Sequence, residues 1–336
     1  MAKRLGERTI LTENRPSFSG YGTVVGKKEH EGPIGAEFDA FDEDSRFGEE
    51  TYEKAESRMQ KIAVQHALKR AGISENDIDI IFAGDLLNQC IGSFFGLRGM
   101  NIPLVGIYGA CSTMSLGLSL AAIIVDSGAV NRAAAVTSSH FSAAERQYRF
   151  PLEYGSQRTP TAQWTVTASG ASIIEKSKKD KPYISAVTIG KICDLGVNDA
   201  NNMGAAMAPS AADTLVAFFK DTDTVPMDYD IIYTGDLGVV GSELLYKLMD
   251  EQGYDIRCRH NDCGLKIFDL SAQDTHAGGS GCGCSAAVLN SFIMHRFESG
   301  DFKNILFMST GALMSPTSSM QGESIPGISH LINIRI

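Results

Sequence analysis

Ten residues of this 336-residue chain occur twice. DIDIIFAGDL (residues 77–86) returns as DYDIIYTGDL (residues 228–237), with seven of ten positions identical. Each copy follows a helical-looking stretch and places Gly-Asp directly after an apolar run. A repeat of this kind constrains the chain to two similar halves packed together, and ligand sites tend to form where such halves meet. The end of each half also returns. A helix-like stretch, then Ser127-Gly128, then RAAAVTS in the first half is matched by a helix-like stretch, Ser299-Gly300 and NILFMS in the second.

Between these anchors the hydrophobic period alternates. Residues 50–71 read as an amphipathic helix stopped by Gly72, with Met59, Ile62, Ala63, His66 and Ala67 at helical spacing. Strands are expected within 11–25 and over 79–83, 102–108, 132–138, 170–174 and 183–189. A helix is expected over 112–127, closed by Gly128. In the second half the spacing predicts helices over 211–220, 242–251 and 285–299 and strands over 230–234, 265–270 and 304–309. The polar run KSKKDK (residues 176–181) marks the joint between halves. Mostly apolar strands alternating with helices imply a duplicated α/β protein with helices outside mixed, mostly parallel sheets. The halves are placed at 1–177, with an insertion at about 140–165, and at 178–336.

The chain is long enough to bury a large core. A net charge of −10 argues against a general nucleic-acid binder. Seven cysteines, an odd number outside any short secreted frame, read as reduced and intracellular. The charged start MAKRLGERTI does not read as a signal peptide. Residues 104–125 carry no charge and reach the length of a membrane span. Their three glycines and four hydroxyl residues, with no basic flanks, favour a helix buried in a large core. The acidic patch Asp39, Asp42, Glu43, Asp44, Glu49 and Glu50 lacks the alternating ligand spacing and glycine of a calcium loop and reads as solvated surface.

Longer strings carry a resemblance. A strand ending in Tyr108-Gly109-Ala110-Cys111, a small-residue helix, then Ser-Gly and a strand is similar to the nucleophile segment of the thiolase superfamily, with the ketoacyl-ACP synthase III branch nearest in pattern. GACSTMS (109–115), QYRFPLEYGSQRTPTAQWTVTASGA (147–171) and QDTHAGGSGCGCSA (273–286) resemble the stage V sporulation protein AD family. The resemblance implies a thiolase-like α-β-α-β-α fold. It also implies binding of dipicolinic acid in the service of a spore inner-membrane channel, for uptake in sporulation and release in germination. The implied partners are that ligand and the membrane subunits of the channel, with no nucleic acid. The implied location is intracellular and peripheral at the membrane, without a transmembrane helix, and relatives imply a homodimer.

Cys111 is the central candidate. At a helix start it meets the positive end of the macrodipole, which favours thiolate; the competing reading is a small buried cysteine filling space beside Gly109 and Ala110. Catalytic relatives place a His after the strand ending at Tyr233-Thr234, where this chain has Gly235-Asp236. They place an Asn or His in the C-terminal glycine loop, where this chain offers Gly279, Ser280 and Cys282. An Asp beside the sulfur raises a thiol pKa. The expectation is therefore a binding site without turnover, in which Cys111 is a vestigial nucleophile.

The candidate ligand-binding residues are Cys111, Asp85 and its repeat mate Asp236, His140, His276, Gly279, Ser280, Arg146 and Arg149. Arg158 and the single Trp, Trp164, are further candidates for charge and stacking. The expected site holds no cofactor and no metal of its own; calcium enters only as part of the dipicolinate chelate, with Asp85 and Asp236 as oxygen donors. The alternative is an acyl-transferring condensing enzyme using Cys111 with His140 or His276. A zinc reading of Cys258, His260, Cys263, Cys282 and Cys284 is disfavoured by non-standard spacing and by the strand expected over 265–270.

Overall fold

A computed structural model describes residues 2–148 and 158–336. The duplication is realised strand by strand. The first half contributes β1 (Ser17–Gly26), β2 (Ile80–Gly84), β3 (Leu104–Gly106), β4 (Arg132–Ser139) and β5 (Ala168–Glu175). The second contributes β6 (Tyr183–Thr188), β7 (Ile231–Thr234), β8 (His260–Asp262), β9 (Asn304–Ala312) and β10 (Gly327–Arg335). The lateral order is β3-β2-β4-β5-β1 in one half and β8-β7-β9-β10-β6 in the other, the same path taken twice. In both, the second strand pairs in parallel with its two neighbours, while the fourth, fifth and first pair antiparallel. The halves meet where Tyr183 of β6 pairs with Ser17 of β1.

Five helices complete the layers. They are α1 (Tyr52–Ala71), α2 (Thr113–Ser127), α3 (Met203–Thr222), α4 (Gly238–Glu251) and α5, which runs Cys282–Val288, widens through the π turn Leu289–Ile293 and ends as Met294–Glu298. Helix α1 covers the outer face of the first sheet, and α3 with α4 covers that of the second. Helices α2 and α5 lie between the sheets and touch strands of both halves. This is an α-β-α-β-α stack.

Local signals explain most boundaries. Thr51 caps α1 by accepting from the Lys54 amide at 3.3 Å, and Gly72 ends it at φ 69°. The two Ser-Gly copies are helix stops of one kind, with Gly128 at φ 79° and Gly300 at φ 81°. The uncharged run is accounted for by the middle layer: residues 110–127 are 72% buried, enclosed by sheet on both sides.

Three expectations change. The strand predicted over 265–270 is instead the short helix Cys263–Ile267, and the strand lies just before it at β8. Asp262 decides this by accepting from the Gly264 amide at 3.0 Å, an N-cap that outweighs an apolar run too short to fix its own period. Helix α3 begins at Met203 because Asn202 caps it, earlier than the predicted start at 211. Strand β10, not assigned from the pattern, pairs with β9 from Gly327 to Arg335 and completes the second sheet.

Helix α1 lies so close to β1 that a side chain at Gly22 has no room. A Cβ there would sit 2.5 Å from the Ala63 carbonyl oxygen. Gly22→Ala is expected to destabilise the protein by roughly 1–3 kcal/mol, measured by denaturant unfolding. Gly99→Ala, where no atom lies within 4 Å, should stay within about 0.5 kcal/mol of the parent.

Candidate functional site

The carboxyl ends of the parallel strands β2 and β7 open toward the seam between halves, where an α/β sheet places its ligands. There the chain after β3 turns sharply into α2, with Ala110 at φ 49°. Ser112 Oγ donates to the Gly109 carbonyl at 2.6 Å, and the Gly109 amide donates to Thr113 Oγ1 at 3.1 Å. The turn is pressed against β9, since a Cβ on Gly311 would fall 2.4 Å from the Gly109 carbonyl oxygen. Ser115 of α2 and Ser309 of β9 exchange hydrogen bonds, with Ser115 Oγ donating to Ser309 Oγ at 2.9 Å and the Ser309 amide donating back at 2.8 Å. Cys111 is thereby fixed at the seam.

Asp236, at the end of β7, faces the sulfur. It is 1% exposed. Its carboxylate accepts from Thr310 Oγ1 at 2.6 Å, the Gly281 amide at 2.9 Å and Ser280 Oγ at 3.0 Å, and it lies beside the Cys111 thiol. Burial lifts its pKa to about 6 despite these donors. Burial, followed by the charge of Asp236, raises the Cys111 pKa well above its ordinary value. The thiolate expected from the helix start is therefore disfavoured, because desolvation and a facing carboxylate outweigh the macrodipole.

Cys111 and Ser280 line a narrow cleft whose water-accessible volume is about 80 Å³. Its polar lining is neutral: Asn88, Tyr108, Gln147, Tyr148, Ser280 and Ser315. Leu86, Met203, Ala312, Met314 and Pro316 supply apolar walls. Among the described residues, no histidine and no charged side chain lines it.

The other candidates lie elsewhere. Asp85 is buried, but its carboxylate accepts from the Ser93 amide at 2.7 Å, Ser93 Oγ at 2.6 Å and the Leu87 amide at 2.9 Å, so it pins the loop whose Leu86 and Asn88 reach the cleft. His140 is 1% exposed and donates from Nε2 to the Ser45 carbonyl at 2.8 Å; burial lowers its pKa and keeps it neutral. His276 lies between the Thr159 carbonyl at 2.7 Å and Asp274 at 3.0 Å. Neither imidazole lines the cleft. Arg146 pairs with Glu53, and Arg158 with Asp274 at 3.1 Å. Arg149 falls outside the described residues. Gly279 and Ser280 pair with Trp164 and Thr165. One stacking partner of Trp164 is already in place, since Phe141 lies on it at 4.0 Å, and Lys28 and Arg158 also pack over its ring.

Among the described residues no group of three His, Cys, Asp or Glu is placed to hold a metal. Cys282 Sγ lies 2.9 Å from the Ser138 carbonyl, and His260 bonds Thr234 and Tyr246, so the soft residues near 258–284 are dispersed. Each of the seven cysteines is free. Met203, Met314, Ser315 and Pro316 escaped sequence reasoning because they reach the cleft only through tertiary packing. Tyr108 and Asn88 had a signal, as neighbours of Cys111 and Asp85.

Three comparisons bear on this geometry. The family model described as Stage V sporulation protein AD matches residues 6–335. The stage V sporulation protein AD of Bacillus subtilis (strain 168) is 42% identical over 328 residues, covering 98% of this chain and 96% of that protein. Among solved structures, 3-oxoacyl-(acyl carrier protein) synthase III of Xanthomonas oryzae pv. oryzae superposes with a TM-score of 0.60 at 12% identity, covering 99% of this chain and 100% of that one. The synthase III of Aquifex aeolicus VF5 gives 0.57 at 12% identity, covering 96% and 100%. Cerulenin-bound OleA of Xanthomonas campestris gives 0.60 at 13% identity, covering 97% and 98%. At these identities the solved structures establish the thiolase-like fold alone.

A raised thiol pKa makes a slow nucleophile. At pH 8, iodoacetamide should modify exposed Cys258 well before Cys111, as read by peptide mass spectrometry. Asp236→Asn removes the facing charge and should speed modification of Cys111, by roughly threefold for each pKa unit recovered, since the larger thiolate fraction is partly offset by lower nucleophilicity.

Proposed function

Since this chain belongs to the stage V sporulation protein AD family, we propose that it binds dipicolinic acid, free or as its calcium chelate, for a spore inner-membrane channel, and that it is not a condensing enzyme. The observation that carries this reading is the pair of side chains set beside Cys111. They are Asp236 and Ser280, where general acid–base chemistry on an acyl thioester calls for an imidazole. A neutral thiol facing a carboxylate is a poor acyl acceptor. The same cleft is suited to a flat aromatic acid. Its apolar walls and tyrosine rings can flank a pyridine ring, and its amides and hydroxyls can meet carboxylate oxygens. The neutral lining beside buried Asp236 favours the uncharged one-to-one calcium chelate over the bare dianion, because an unpaired buried charge is costly.

Calorimetric titration with dipicolinate, with calcium alone and with the chelate tests this directly. Saturable binding is expected, and no heat from either form of dipicolinate up to about 1 mM would overturn the reading. Tyr108→Ala and Asn88→Ala should each weaken binding by about 3–30-fold, while Cys111→Ser, nearly isosteric, should retain it. An acyl adduct on Cys111 after incubation with acyl-CoA would favour the enzyme instead.

Strand β3 ends its sheet, with Phe94, Phe95 and Val105 exposed around it. We assign this edge to pairing with a second copy of the chain. Light scattering should give a dimer mass, and Val105→Lys should shift it toward the monomer.

A further inference from the structure

The run Lys176–Lys181 takes no part in the cleft. It forms the turn from β5 to β6, the connection between the two halves. Its position follows from strand register. In the antiparallel pair β4–β5, Ser139 lies opposite Ala168 and Arg132 opposite Glu175. Ser139 belongs to the cleft end, where its Oγ accepts from the Gly283 amide at 3.1 Å. The Glu175 end is therefore the opposite pole, about 25 Å away at roughly 3.3 Å per residue.

Cations gather at this pole against the overall sign of a chain of net charge −10. Lys176, Lys178, Lys179 and Lys181 are all exposed. Arg15 joins them from the turn before β1, with its guanidinium carbon held 5.2 Å from the Tyr183 ring centroid. Exposed Arg335 ends β10, paired opposite Tyr183. Arg15, Ser177, Lys178, Lys179, Asp180, Lys181 and Tyr183 line a basin of about 480 Å³. The acids here are outnumbered. Glu175 is engaged by Arg132 at 2.7 Å and by Lys178 at 3.0 Å. Glu298 lies near Tyr21, and Asp180 is the exposed acid in the basin itself, while Glu13 lies near Lys3.

We propose that this pole docks on a membrane surface rich in anionic phospholipid, with the phosphate headgroups seated among these lysines. Lysine is depleted at protein–protein interfaces, and a protein partner would be anchored by large buried aromatic or arginine side chains rather than by a lysine cluster. A nucleic acid would carry its charge beyond the small patch onto an acidic surface. Hydrated ammonium groups on flexible stems instead suit a fluid array of headgroups, where each contributes about fivefold to partitioning. Docking through this pole leaves the cleft open on the far side. The inference does not depend on what the cleft binds.

The test is sedimentation of the full chain with vesicles of phosphatidylcholine alone and of phosphatidylcholine with about one-third phosphatidylglycerol. Binding is expected only to the anionic vesicles, and it should disappear as salt rises from about 0.1 to about 0.5 M. The combined variant Lys178→Gln, Lys179→Gln and Lys181→Gln should lose about a hundredfold in partitioning. A control with the same change in charge on the outer face of α1 (Lys54→Gln, Lys61→Gln and Lys69→Gln) should bind as the parent does. Circular dichroism and the dipicolinate titration should be unchanged in both variants. Equal binding to the two vesicle types, full binding by the Lys178/Lys179/Lys181 variant, or an equal loss in the α1 control would each overturn the proposal.

Discussion

One buried carboxylate ties the molecule together at its seam. Asp236 ends β7, and its oxygens receive donors from Thr310 on β9 and from Ser280 and Gly281 on the loop before α5, while the Cys111 thiol at the start of α2 lies beside it. Three segments that are remote in sequence meet on two oxygen atoms, and a fourth, carrying Cys111, is set against them. A carboxylate buried to this depth is tolerated only when its lone pairs are filled, so each donor holds its own segment in register with the others. The shape of the cleft floor follows from that constraint, and so does the chemistry above it. The charge that organises the site also adds to burial in keeping the neighbouring thiol protonated.

The duplication shows how one motif takes two roles. Asp85 and Asp236 occupy matching places at the ends of β2 and β7. Asp85 turns its acceptors inward to Ser93 and Leu87 and shapes a loop, whereas Asp236 accepts from Ser280, Gly281 and Thr310 of its own half and faces Cys111 of the other. The difference lies in the partners. Ser93 lies close behind Asp85 in the same half, but the donors for Asp236 come from the glycine loop and from β9, which border the seam. A symmetrical strand path thus produces an asymmetric site.

Much of the fold was legible because the repeated signals are local. Helix stops at Gly72 and Gly128, the apolar runs of β2, β4, β7 and β9, and the uncharged stretch of α2 each depend on few neighbours in sequence. Illegible elements were decided elsewhere. The apolar run near residue 267 became a helix because Asp262 caps it, and β10 is defined by its pairing with β9. Of the candidate site, Cys111 and Ser280 line the cleft with Asp236 bonded behind them, while His140, His276 and Arg146 found partners closer to hand.

The amino-acid order alone determined that there would be two like halves, that an uncharged small-residue helix would be buried between layers, and that Gly235-Asp236 would follow the strand ending at Thr234. These are matters of repetition, period and residue type, carried by neighbouring positions. Only the tertiary structure decided which of the two repeated aspartates would face the sulfur, that both nearby histidines would be spent on backbone carbonyls, and that four lysines would share one pole with Arg15 and Arg335. Those outcomes depend on contacts between segments far apart in the chain, where direction and distance, rather than residue type, select the partner.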